Sequence, residues 1–192
     1  MASLRKLTRA VWTARNRISF GGTPEWNSNA FLQKWVNEID PTLWANKPGW
    51  YWIETSLPAS AFAGLKAPMA LPEKAIRFNE IAAENLRRFE SADLNAKVVY
   101  SGQEARVFTR LRLHFSLSMA NTGTGALGIS SYPLSQHTWH ASFFHSGMIS
   151  SLETLSEEER NRLAVLSKDK HSRDLVETCW RIEYGWPILC QR

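Results

Sequence analysis

Tyr100-Ser101-Gly102, Arg110 and His114 are the residues whose types and spacing first suggest chemistry. The tyrosine ends a β-prone run, a glycine follows, and the arginine and histidine come later in a helix-prone stretch. Arg110 and His114 are four apart, so on a helix they stand one turn apart on the same face. Gly102 is expected to let the strand turn sharply into that helix. The cation and the imidazole would then project together towards the phenol of Tyr100. A guanidinium is a planar, permanently charged fork for an anion, and an imidazole can move a proton beside it.

In order along the chain, these residues resemble the signature of the GIY-YIG nucleases. Tyr100-Ser101-Gly102, then Val107, Arg110-Leu111 and His114, resembles its second half, and Gly49-Trp50-Tyr51 its first. Glu177, in Asp174-Leu175-Val176-Glu177, matches a glutamate that the family carries on a later helix. The family's Pro-x-x-Asn tail reads here Pro187-Ile188-Leu189-Cys190, so a cysteine stands where an asparagine usually orients the site. Trp50 and Ser101, the middle residues of the two motifs, occupy positions without chemistry in the family. The resemblance covers about 49–190. The long step from Tyr51 to Tyr100 resembles the expanded arrangement of restriction-enzyme members.

The resemblance implies a metal-dependent endonuclease that hydrolyses DNA phosphodiester bonds. That reaction needs an activated water, a base, and neutralisation of charge building on the phosphate and the leaving oxygen. The resemblance makes Tyr51 the general base, with an ordinary phenol pKa of ~10 that a nearby cation must lower. Tyr100 would hold the water or phosphate by hydrogen bond, and Arg110 would fork the scissile phosphate. His114 would relay a proton or contact a phosphate. Glu177 would be the metal ligand, a hard oxygen donor for one Mg²⁺ or Mn²⁺ that keeps most of its waters.

The elements that must position this set read as an α+β fold: a small three-stranded antiparallel sheet flanked by helices, with an N-terminal helical extension. Strands are expected at 50–53, 95–101 and 137–144, from short β-branched and aromatic runs. Helices are expected from Pro72-Glu73 onward, over 104–114, behind the Ser156 capping box, and over 172–184 up to Gly185-Trp186-Pro187. Segments 57–72 and 119–136, rich in turn residues, are expected to be irregular, the second as a surface loop. Residues 1–45 read as a basic arm plus a docking helix at 28–39, and 46–192 as the nuclease domain, with an insertion at about 57–95.

With 44% hydrophobic and 21% charged residues over 192 positions, the chain reads as one globular domain rather than as disordered. Cys179 and Cys190 read as two free thiols. A net charge of +5 is compatible with a polyanionic partner, here DNA. No apolar run approaches the ~18 residues of a membrane span, so no membrane is expected. The first twenty residues lack the apolar block of a secretory signal, which points to a cytoplasmic protein, nucleoid-associated if bacterial. Their acid-free stretch with Arg5, Lys6, Arg9, Arg15 and Arg17 fits an organellar targeting segment, a nucleic-acid-binding arm or a solvated helix face. One active site cuts one strand, so double-strand cleavage predicts a homodimer or sequential nicking.

Two other readings stay open. One is a DNA-binding protein on the same fold that cleaves weakly or not at all. The other is a two-histidine phosphoesterase acting on small cyclic or 2′-linked phosphates, built on His114-Phe115-Ser116 and His140-Ala141-Ser142.

Overall fold

A computed structural model describes residues 3–20, 47–69, 71, 73–115, 125–134 and 137–191. In chain order the elements are α1 (Leu4–Thr13), β1 (Asn16–Phe20), β2 (Gly49–Thr55), α2 (Ala59–Phe62), α3 (Phe78–Arg88), β3 (Val98–Glu104), α4 (Val107–Phe115), β4 (Trp139–His145), α5 (Glu157–Lys168) and α6 (Lys170–Tyr184). Short 3₁₀ turns lie at Ile129–Ser131 and Ser146–Ser151. The fold is α+β, and its sheet is antiparallel in the order β1-β4-β2-β3.

The sheet has four strands where three were expected. The additional strand is β1, inside what reads by composition as a basic arm. Its charges conceal a period-two pattern: Ile18 is buried in the core, while Arg17 points to the other face and bonds the Glu54 carboxylate at 3.0 Å. All five cations of that stretch are ion-paired within the fold. Arg5 and Arg9 meet Glu183, Lys6 meets Glu159, and Arg15 and Arg17 meet Glu54. The helix expected at 28–39 lies outside the described residues.

Helices cover both faces of the sheet, which is why every residue of β2 is buried. Trp50 and Trp52 face α1 and α6. There Trp12, Trp52 and Trp180 form an aromatic knot, with Trp12 centred 5.1 Å from each of the other two rings. Tyr51 and Ile53 face the opposite layer, built from α2, α3, α4 and the 125–134 segment. The capping box at Ser156 is present, with Ser156 and Glu159 bonding each other's backbone N–H. Asp169 caps α6, which stops at Gly185 with φ +93°.

Two further expectations give way to tertiary contacts. The helix expected from residue 72 begins only at Phe78. The intervening backbone is used elsewhere: Ile76 N–H donates to Ala126 O at 2.8 Å, and Gly125 N–H donates to Lys74 O at 2.9 Å. Those bonds also bury the described part of the expected surface loop, where Ala126, Leu127 and Ile129 are wholly inside the core. Residues 119–124 and 135–136 of that loop lie outside the described set. No helix among the described residues is long and apolar enough to cross a membrane.

Candidate functional site

The register of β2 and β3 sets Tyr51 directly across from Gly102. The phenol lies over that glycine so closely that a Cβ there would stand 2.3 Å from Tyr51 Oη and 2.4 Å from Cζ. Gly102 therefore does not turn the chain. It sits within β3, which runs on to Glu104, and its missing side chain is the seat of the Tyr51 ring. Tyr100 stacks alongside, with ring centroids 6.2 Å apart.

The helix expected over 104–114 starts three residues late, at Val107, and presents Arg110 and His114 to this pair. His114 is fully buried, and its Nε2 lies 3.0 Å from Tyr51 Oη. Its Nδ1 accepts the Leu127 N–H at 3.2 Å. A nitrogen that accepts carries no proton, so the neutral ring has its hydrogen on Nε2 and donates to Tyr51. Arg110 Nη2 donates to Gly125 O at 2.9 Å, and Gly125 holds φ +64°. The 125–127 segment thus orients both residues, and the bonds to Lys74 and Ile76 hold that segment.

Glu177 reaches the site from α6, on the other side of edge strand β3. Its Oε1 accepts Ser101 Oγ–H at 3.0 Å and is ion-paired with Arg181, so both bonds fall on one oxygen. Arg181 also donates through Nε to Ser101 Oγ at 2.9 Å. Cys190 closes the network. Its thiol accepts Ser101 N–H at 3.2 Å and donates to Ser101 O at 3.3 Å. An asparagine amide, with one acceptor and one donor end, can make the same two contacts. Asn85 fixes the tail itself, donating to the carbonyls of Ile188 at 2.8 Å and Cys190 at 3.0 Å.

Tyr51, Tyr100, Arg110 and Glu177 line one cleft of about 600 Å³. His114 stands behind Tyr51 rather than in the lining. Glu183, also on α6, is engaged by Arg5 and Arg9 instead of lining the cleft.

No family model, curated protein or solved structure matches this chain.

Sequence reasoning missed Ser101 and Arg181. Ser101 occupies a position without chemistry in the resembled family, yet here it joins the carboxylate, the guanidinium and the thiol. Arg181 gave a faint signal, since Glu-x-x-x-Arg is the spacing of an ordinary helix ion pair. The two His-x-Ser units do not converge. His114 lies in the layer with Tyr51, whereas His140 is on β4 with its Nδ1 2.7 Å from Ser19 Oγ, facing the Glu54 side; Ser116 is outside the described residues.

Burial dominates the electrostatics. It pushes the Tyr51 phenol well above its usual range, against the nearby Arg110 charge that favours the phenolate. Tyr100 is raised for the same reason. Burial also lifts the Glu177 carboxyl, with Arg181 and the Ser101 bond working against it. His114 moves well below its ordinary value, through desolvation first and the Arg110 charge second. Its neutral form is thereby favoured, in keeping with the hydrogen bond it gives to Tyr51.

The His114 shift gives a testable pH dependence. Its folded pKa is depressed, so the unfolded chain binds this proton first as pH falls below ~6.5. Stability is then lost on acidification by about 1.4 kcal/mol per pH unit, until the folded pKa is reached. His114→Gln should remove that share of the slope in urea denaturation between pH 7 and pH 5.5. An identical slope in wild type and variant would mean that His114 titrates normally.

Among the described residues no three His, Cys, Asp or Glu converge as a metal cage. A divalent ion held by one carboxylate and waters remains chemically suited to the site. Glu177 Oε2 takes no hydrogen bond among the described residues, and the cleft has room for a hydrated ion.

Proposed function

We propose that this chain is a metal-dependent endonuclease that hydrolyses DNA phosphodiester bonds, with Tyr51, Tyr100, Arg110, His114 and Glu177 as its site. One observation carries the reading. Five residues scattered between positions 51 and 177, named from an ordered sequence resemblance, form one cleft and the hydrogen bond directly behind it.

Arg110 would clamp the non-bridging oxygens of the scissile phosphate from an anchored position. His114 N–H holds the Tyr51 oxygen, leaving the phenol proton directed away from the imidazole. Loss of that proton is favoured by Arg110 and by the His114 donor and opposed by burial. Tyr51 is therefore a phenol in the free protein, and it becomes a competent base only when further positive charge enters the cleft. A divalent ion held by Glu177 would supply charge neutralisation and a more acidic water. Tyr100 positions whatever occupies the space beside Tyr51.

The test is cleavage of supercoiled plasmid with Mg²⁺ or Mn²⁺, beside EDTA. Metal-dependent nicking is expected, reduced roughly a hundredfold or more in Glu177→Ala, the order expected for losing a central electrostatic group. Salt-sensitive DNA binding with no cleavage in any metal, unchanged by Glu177→Ala, would leave the silent DNA-binding reading in its place. Linear product formed without a nicked intermediate would indicate two sites acting together, as in a homodimer.

A further inference from the structure

We infer that Arg181 is a second phosphate-binding cation of this cleft, holding the nucleic-acid backbone from the α6 side while Arg110 holds it from the α4 side. The inference rests on the nuclease reading above. Arg110 and Arg181 both line the cleft, from helices that cover opposite faces of the sheet, with edge strand β3 between them.

The donors of Arg181 divide in a telling way. Nε bonds Ser101 Oγ at 2.9 Å, and Nη2 bonds Ser101 O at 3.4 Å as well as Glu177 Oε1. The guanidinium also lies over the Trp186 ring, 4.6 Å from its centroid. Nη1 makes no hydrogen bond among the described residues, and it is not one of the buried side-chain atoms left without a partner. One edge of the fork is therefore clamped, while Nη1 stays unbonded among the described residues of a side chain that lines the cleft.

A preorganised donor of this kind binds an anion without first losing side-chain freedom. The remaining Nη1–H groups are charge-assisted donors for a phosphodiester oxygen. The charge balance points the same way. The lining cations Arg110, Lys170 and Arg181 face the carboxylates Glu104, Asp174 and Glu177. A divalent ion on Glu177 Oε2 would draw on the same carboxylate charge that compensates Arg181 through Oε1. Phosphate affinity at Arg181 is then expected to rise.

The experiment is fluorescence-anisotropy titration of a short DNA duplex across a salt series, in EDTA so that cleavage plays no part. The proteins compared are wild type, Arg181→Gln and Arg181→Lys. Each neutralised phosphate contributes about 0.9 to the slope of log affinity against log salt. Arg181→Gln should lower the slope by about that amount and weaken binding several-fold at low salt, while Arg181→Lys keeps the wild-type slope. If Arg181→Gln fails to fold, the double variant Glu177→Gln/Arg181→Gln removes both charges of the ion pair and is compared with Glu177→Gln alone. An unchanged slope in Arg181→Gln, beside salt-sensitive binding by wild type, overturns the role of Arg181 and leaves the nuclease reading standing. A wild type that neither binds DNA in a salt-dependent way nor cuts plasmid overturns both.

Discussion

Gly102→Ala is expected to lower the melting temperature by roughly 6–12 °C and to silence cleavage, although the substitution adds one methyl group in a strand. The added Cβ would stand 2.3 Å from Tyr51 Oη and 2.4 Å from Cζ, and Tyr51 is itself wholly enclosed. Tyr51 is seated by its pairing on β2, its stacking on Tyr100 and its bond to His114, so the ring has no cheap route of escape. Overpacking of a core costs about 1–3 kcal/mol. A displaced phenol also strands the buried His114 N–H, for a further ~1–3 kcal/mol. A total of about 3 kcal/mol corresponds to that temperature shift in a chain of this size. Tyr51→Leu, which shortens the side chain, should make Gly102→Ala nearly harmless, so a double-mutant cycle reads the contact directly. A turn-forming glycine would cost the same whatever stands at position 51. An alanine variant with wild-type melting and cleavage would remove Gly102 from the site.

The same glycine marks where the sequence could be read and where it could not. The strands around Tyr51 and Tyr100 were legible because aromatic and β-branched residues cluster there. Arg110 and His114 were legible because helical periodicity alone puts them on one face. Gly102 reads as a turn in the sequence because local signals name a residue's conformational freedom, not the ring that lies on it. Strand β1 is hidden by Arg17 and by Arg15 just before it, whose Glu54 partner is far along the chain. The 73–77 segment has helix-forming composition, yet its carbonyls and amides pair with 125 and 126, a long-range choice that local propensity does not encode. Arg181 and Ser101 escaped for a related reason. Each looks ordinary beside its sequence neighbours, and each gains meaning only where α6, β3 and the C-terminal tail meet. Cys190, which stands out as a departure from the resembled family, has its thiol bonded to the Ser101 N–H, carbonyl and hydroxyl.

Arg110→Ala is expected to lower the cleavage rate about 10³-fold, with binding of intact DNA weakened far less. Removing one preorganised donor to a developing oxyanion costs on the order of 3–4 kcal/mol, because the charge it serves grows only in the transition state. Arg110 has a second duty, since its bond to Gly125 O ties α4 to the segment that orients His114. Loss of that charged hydrogen bond should cost about 1.5–3 kcal/mol of stability. Arg110→Lys separates the two duties. A lysine retains the charge and can still reach a carbonyl, so folding should recover, but an ammonium cannot fork two phosphate oxygens. The lysine variant should therefore melt near wild type and still cleave at least tenfold more slowly, the loss appearing in kcat rather than KM. The Tyr51 proton supplies an independent readout. Arg110 favours the Tyr51 phenolate, so its removal should shift the ascending limb of the cleavage–pH profile to still higher pH. A fully active Arg110→Ala would leave the cleft without the group on which the proposed chemistry turns. A slow variant with an unmoved pH profile would keep Arg110 on the phosphate and take Tyr51 out of its electrostatic reach.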